Sequence, residues 1–162
     1  MLIAVISDTH LPRGSRRLSE TCLERLRAAD VIVHAGDFTA RSVLEALRAL
    51  GPSLAAVHGN VDEPALRREL PERRVVAAGA VTIGLVHDAG PRPGRLERLR
   101  GAFPDADAVV FGHSHLPVHE ERDGFQIFNP GSPTERRRAP TRTMGMARAE
   151  GDALSFELIE LP

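Results

Sequence analysis

The chain has 162 residues, 42% of them apolar and 27% charged. A chain of this length buries ~70% of the surface its unfolded form exposes, so no disulfide or metal is needed merely to hold a core together. The formal net charge of −1 excludes a general attraction to nucleic acid, no apolar run is long enough to cross a bilayer, and Met1-Leu2-Ile3 lacks the features of a signal peptide, so the expectation is a cytoplasmic chain folding as one domain over residues 1–162.

The first half alternates strand and helix. LIAVIS is a short apolar strand, followed by an amphipathic helix from Ser19 to Ala29 whose apolar positions include Cys22, Leu23 and Leu26. Cys22 is the single cysteine, and its place on that face reads as a half-buried core thiol. VIVHAG, a helix from Arg41 to Leu50 and LAAVHG continue the βαβ pattern, and short unalternated strands of this kind are covered on both faces. Asp62, ahead of Pro64, predicts a cap on a short helix, PALRREL, which Pro71 follows. VTIGLVH, a helix around Gly94 to Phe103, and DAVVFGH repeat the strand logic. Then the helices stop. EERDGFQIF and MARAEGDALSFELIEL each hold a turn dipeptide between β-rich runs and predict two antiparallel hairpins, so the last third reads as a β meander on a sheet-centred α/β fold.

Almost every apolar strand runs into a polar group. LIAVIS leads to Asp8 and His10, VIVHAG to Asp37, LAAVHG to Asn60, VTIGLV to His87, and DAVVFG to His113 and His115. These groups recur about every 25 residues, near the length of one βα unit. Ligands of open α/β sheets bind outside the carboxyl ends of parallel strands, so the spacing predicts that all seven side chains converge on one crevice. Two Asp, one Asn and four His supply oxygen and neutral nitrogen but no sulfur. That set suits Mn²⁺, Fe, Co²⁺, Ni²⁺ or Zn²⁺, and it exceeds what one ion needs, so two ions sharing one carboxylate is the economical arrangement. A glycine precedes Asp37, Asn60 and His113, where backbone must pass close to ligand.

Asp8-x-His10, Gly36-Asp37, Gly59-Asn60, His87 and Gly112-His113-Ser114-His115, in this order, resemble the signature of calcineurin-like metallophosphoesterases. With Asn129-Pro130-Gly131-Ser132 and the short length, the chain is most similar to the small YfcE-type phosphodiesterase branch. The resemblance implies a four-layer α/β/β/α sandwich of two mixed sheets. It assigns Asp8, His10, Asp37 and His115 to a first divalent ion, and Asp37, Asn60, His87 and His113 to a second, with Asp37 as the bridge and Mn²⁺ as first choice of metal. Asp37, Asn60, His87 and His113 would carry the catalysis. It further implies in-line attack on a small phosphodiester by a metal-bridging hydroxide, with no protein nucleophile.

The chain departs from the wider family at two places. Val61 stands where many larger members have a histidine that helps the leaving group, and His87-Asp88-Ala89 replaces a common His-Gly-His. Without a general acid, aryl diesters should react faster than alkyl diesters. Asp88 either alters substrate preference or supports His87. His34, His58 and His119 read as structural histidines. Asn129-Pro130-Gly131-Ser132 reads either as an ordinary turn or as part of the site, and Arg136, Arg137, Arg138 and Arg142 either as a solvated loop or, for Arg136 to Arg138, as a clamp on a substrate phosphate. The rival function is a scaffold, since a relative of this fold serves in retromer, and a third is a phosphomonoesterase or nuclease on the same metals. The neutral charge speaks against extended nucleic acid as partner, and self-association of the chain stays open.

Overall fold

The computed structural model describes residues 1–162. The chain runs β1 (Leu2–Ile6), α1 (Glu20–Ala28), β2 (Val31–His34), α2 (Arg41–Arg48), β3 (Ser53–Ala56), α3 (Pro64–Glu69), β4 (Arg73–Ala78), β5 (Val81–Val86), α4 (Arg95–Ala102), β6 (Ala108–Val110), β7 (Val118–Arg122), β8 (Phe125–Asn129), β9 (Arg142–Glu150) and β10 (Ala153–Leu161). The strands form two five-stranded sheets, ordered β10-β9-β1-β2-β3 and β4-β5-β6-β8-β7. Four pairs are parallel, β1 with β2, β2 with β3, β5 with β6 and β6 with β8, and the remaining pairs are antiparallel.

The pleat explains how one apolar run serves two layers. Ile3 and Val5 of β1 face the second sheet, in a core with Val33, Ile83, Leu85, Val110 and Phe128, whereas Ala4 and Ile6 face α1 and α2 with Leu26, Ile32, Leu44 and Leu47. On the other side, α4 places Leu96, Leu99 and Phe103 over Val109, Phe111 and Ile127. Helix, sheet, sheet and helix therefore stack in four layers. Gly84 of β5 is needed here, because a Cβ would lie 2.6 Å from the Phe103 ring. Cys22 lies deeper than half-buried: it is fully enclosed, and burial pushes its thiol pKa up to about 12. No helix is long and apolar enough to cross a membrane.

Helix α1 starts as expected, with the Ser19 hydroxyl accepting from the Cys22 N–H at 3.2 Å. Three sequence expectations need correction. Asp62 does not cap α3, whose N-cap is Glu63 with no side-chain bond. The two late hairpins do not form one meander: β7 and β8 join the second sheet, β9 and β10 the first. The five strands that end in candidate ligands do not share one sheet, since β1, β2 and β3 belong to the first and β5 and β6 to the second. The structure also adds β4, an edge strand whose Arg73, Arg74 and Val75 are exposed, so it carries no two-residue apolar rhythm.

Candidate metal centre

The structure brings all seven candidate residues together at one end of the sandwich, where loops after β1, β2 and β3 meet loops after β5 and β6. Asp8, His10, Asp37, His113 and His115 all have positive φ, between 47 and 68°. This left-handed conformation is uncommon for residues with a Cβ and costs energy, so five such residues at one place need a surrounding structure that holds them. Each lies two to five residues past the end of β1, β2 or β6.

Two groups of donor atoms result. In the first, the Asp8 Oδ1 lies 3.2 Å from His115 Nε2 and 3.8 Å from His10 Nε2, and the two Nε2 atoms are 3.0 Å apart. In the second, His87 Nε2 lies 3.1 Å from Asn60 Oδ1 and 3.3 Å from His113 Nδ1, which is itself 3.0 Å from Asn60 Oδ1. Asp37 belongs to both, with its Oδ2 3.7 Å from His10 Nε2 and 3.2 Å from His87 Nε2. Asp8, His10 and His115, and separately Asp37, His87 and His113, each present ligand atoms within 4.8 Å of one another. The first group is buried, whereas His113 is exposed and opens the second to solvent.

The donor chemistry fits divalent cations. Asp8 Oδ1 and His10 Nδ1 are buried without a hydrogen-bond partner, a state that normally costs stability. His87 Nδ1–H donates to the Ala35 carbonyl at 2.8 Å, and His115 Nδ1–H donates to the Glu135 carbonyl at 3.4 Å. In its neutral form each ring then carries the lone pair on Nε2, aimed at the site and open to a cation. Carboxylate oxygens and imidazole lone pairs pressed together repel unless a proton or a cation lies among them.

Both carboxylates are oriented by backbone from another loop. Asp8 Oδ2 accepts the His113 N–H at 3.0 Å, which frees Oδ1 for the site, and Asp37 Oδ1 accepts the Val61 N–H at 3.0 Å, which frees Oδ2. These bonds require close approach: a methyl group on Gly59 would collide with Asp37 Oδ1, and one on Gly112 would come within 2.7 Å of Asp8 Oδ2. Asp62, missed as a site residue by sequence reasoning, accepts the N–H groups of Gly59 and Thr39 at 2.7 Å each and of Asp37 at 3.2 Å. It ties the loop after β2 to the loop after β3, and the Arg67 side chain donates to the backbone carbonyls of Asp62 and Asn60. The turn Asn129 to Ser132 does the same between sheets. Asn129 Nδ2 donates to the Gly112 carbonyl at 2.8 Å, and the Ser132 hydroxyl donates to the Asp8 carbonyl at 2.8 Å.

Electrostatics follow from burial and partners. Burial lowers the His10 pKa, more than the Asp37 and Asp8 charges raise it, and so keeps its lone pair available. Burial opposes the Asp37 charge, but the hydrogen bond and charge of His87, with the Val61 N–H, hold its pKa at about 2. Burial likewise opposes charge on His87, yet the Asp37 hydrogen bond and the Asp8 and Asp37 charges raise its pKa.

The remaining candidates separate. His34 is buried, stacks on Phe38, and accepts the Gly36 N–H at Nδ1, so it is structural as expected. His58 is half-buried beside the Gly59 carbonyl, and His119 pairs with Gln126. Asp88 caps a turn through the Gly90 N–H and makes no bond to His87. Arg136 donates to the Pro140 carbonyl, Arg137 pairs with Glu135 and Arg142 donates to the Pro162 carbonyl, so of the basic cluster Arg138 alone lines the groove next to the site.

Residues 1–152 match the calcineurin-like phosphoesterase superfamily domain. The chain is 35% identical over 161 residues to a probable metallophosphoesterase of Methanothermobacter thermautotrophicus, covering 98% of this chain and 92% of the relative. Its fold is similar to that of vacuolar protein sorting 29 from Cryptosporidium parvum, with a TM-score of 0.86, 24% identity and coverage of 99% and 91% of the two chains. It is also similar to wild-type Vps29 of Entamoeba histolytica complexed with Zn²⁺, with a TM-score of 0.79, 25% identity and 99% coverage of both chains. With its two mixed sheets, its two groups of metal-compatible donors and this match over nearly the whole length, the chain belongs to the calcineurin-like phosphoesterase superfamily.

Proposed function

We propose that this protein is a phosphodiesterase that uses two divalent metal ions. Asp8, His10, Asp37 and His115 would hold one ion, and Asp37, Asn60, His87 and His113 the other. The observation that carries this reading is the position of Asp37 Oδ2, which lies between the two donor groups and within 4 Å of an imidazole nitrogen in each. Two such ions, when bound, polarise phosphoryl oxygens and lower the pKa of water enough for attack at neutral pH. The protein's part is orientation. Asp8 and Asp37 each spend one oxygen on a backbone N–H and turn the other inward, and the Ala35 and Glu135 carbonyls fix the tautomers of His87 and His115. Exposed His113 and Asn60 mark the side from which substrate enters. Val61 follows Asn60, so no imidazole stands there to protonate the leaving group.

Mn²⁺ is the first choice of metal, with Fe, Co²⁺, Ni²⁺ and Zn²⁺ as the others the donor set accepts. We place the reaction in the cytoplasm, where the lone buried Cys22 stays reduced. The test is hydrolysis of bis-p-nitrophenyl phosphate by metal-stripped protein with and without Mn²⁺, with Asp37→Ala as control. Metal-dependent turnover that vanishes in the variant supports the reading. A folded protein that turns over no phosphodiester with any of these ions supports the second reading, a scaffold, which the similarity to the vacuolar sorting proteins favours.

A further inference from the structure

Beside the loop Gly112 to His115 lies a groove of about 810 Å³, lined among others by Arg92, Arg95, Ser114, His119, Glu120 and Arg138. Three arginines and one carboxylate are among its lining residues. Arg95 opens helix α4 but turns inward: it is 7% exposed, its guanidinium sits 4.8 Å from the Phe111 ring centroid, and Nη2 donates to Glu120 Oε1 at 3.1 Å. Its Nε is buried without a partner. Glu120, by contrast, is 43% exposed at its side chain, so Arg95 is the fixed member of the pair. Arg92 and Arg138 are exposed, and no acidic side chain pairs with either, because Glu120 is engaged by Arg95 and Glu135 by Arg16 and Arg137. Ser114 lies between candidate ligands His113 and His115, and its Oγ accepts from the Leu116 N–H and from Asn129 Nδ2, which leaves its own O–H to donate into the groove.

Two unpaired exposed guanidinium groups and a hydroxyl, beside a buried arginine that holds the carboxylate of Glu120 in place, form a built receptor for a phosphate, whose oxygens can be taken in pairs by the planar fork of an arginine. The charge of the scissile phosphate would be answered by the ions that the adjoining donor groups would hold. Building on the phosphodiesterase reading of that site, we propose that this groove binds a second phosphate carried by the substrate, so that the preferred substrate class is a phosphodiester bearing a terminal phosphomonoester.

The test uses a matched pair: thymidine 5′-(p-nitrophenyl phosphate) and the same compound carrying a 3′-phosphate, with bis-p-nitrophenyl phosphate as reference and Mn²⁺ present. A preference of about tenfold in kcat/KM for the 3′-phosphorylated compound, expressed in KM, is expected from charge-assisted hydrogen bonds of this kind. Arg138→Ala and Arg92→Ala, both at exposed positions, should each reduce that ratio severalfold with the melting temperature unchanged, and Arg95→Lys, which keeps the charge but loses the fork that holds Glu120, should reduce it too. Hydrolysis of both compounds at equal kcat/KM would overturn the proposal and leave the phosphodiesterase reading intact. If none of the three diesters is hydrolysed, the phosphodiesterase reading fails, and the groove is decided by calorimetry on metal-free protein with thymidine 3′,5′-bisphosphate against thymidine 5′-monophosphate. Binding about tenfold tighter for the bisphosphate and lost in Arg138→Ala supports the groove, whereas equal binding overturns it.

Discussion

Replacing Asp62 with asparagine keeps the side chain's shape and removes its charge and one acceptor. In the native protein Oδ2 takes the N–H groups of Gly59 and Asp37, and Oδ1 takes that of Thr39. An amide retains at most the Oδ2 pair and turns an NH₂ group toward the third N–H, which leaves a buried donor facing a donor. Hydrogen bonds to a charged acceptor contribute about 1.5–3 kcal/mol each, so neutralising them and orphaning one should destabilise the protein by about 3 kcal/mol. With a urea m value of about 1–3 kcal/mol/M, the midpoint should fall by roughly 1–3 M. Function should suffer too. Asp37 and Thr39 both hold positive φ, and the Asp62 carboxylate sits in the nest of N–H groups that this backbone creates. Releasing it displaces the Asp37 carboxylate, and metal affinity should drop about 10- to 100-fold. Urea unfolding of the chelated protein and Mn²⁺ titration of the folded protein measure the two effects. A loss near 1 kcal/mol with unchanged metal affinity is what a mere helix cap would give, and it would refute this account of Asp62.

Gly59→Ala should lower stability and weaken metal binding together, because the new methyl group collides with both Oδ1 and the backbone N of Asp37; metal affinity equal to wild type would show that the two loops can part without loss. His34 accepts an N–H at Nδ1, and burial pulls its pKa well below the usual histidine value, so the unfolded chain takes up a proton that the folded one refuses. Its contribution to stability is therefore complete at neutral pH and falls by about 1.4 kcal/mol per pH unit below about 6.5. His10, also shifted down, adds to this slope; His87, shifted up, has taken its proton in both states by then. Urea midpoints of chelated protein between pH 6 and 5 should be flatter in His34→Gln by about one proton, and an unchanged slope would mean His34 is protonated in the fold. Finally, a series of diesters with leaving groups of rising pKa should show steadily falling kcat, since Val61 supplies no acid; a flat series would point to a proton donor elsewhere.

The candidate ligands were legible in the chain because each ends an apolar strand, and a polar group at that place has no reason to serve a core. The hairpins were equally plain from Asp123-Gly124 and Gly151-Asp152. What the pattern could not carry was the partition of strands. An apolar strand ending in histidine looks the same whether its neighbour lies beside it or across a sandwich, and the two-sheet architecture came only from the family resemblance. Strand β4 escaped notice because an exposed edge tolerates Arg73, Arg74 and Val75 in a row. Asp62 was misread for a related reason: an aspartate before Glu63-Pro64 resembles a cap, and nothing in the sequence marks a side chain whose partners are backbone N–H groups from a loop 23 to 25 residues away. Arg95 was invisible as a buried group, since an arginine in the first turn of a helix is ordinarily solvated.

The central claim is that seven side chains form two metal sites that share Asp37. Its most direct test is the metal stoichiometry of chelator-stripped protein titrated with Mn²⁺, compared between wild type and Asp37→Asn. Two ions per chain in the wild type, with both affinities reduced in the variant, is the predicted result. One ion per chain, or two with only one of them sensitive to Asp37, would contradict the shared carboxylate.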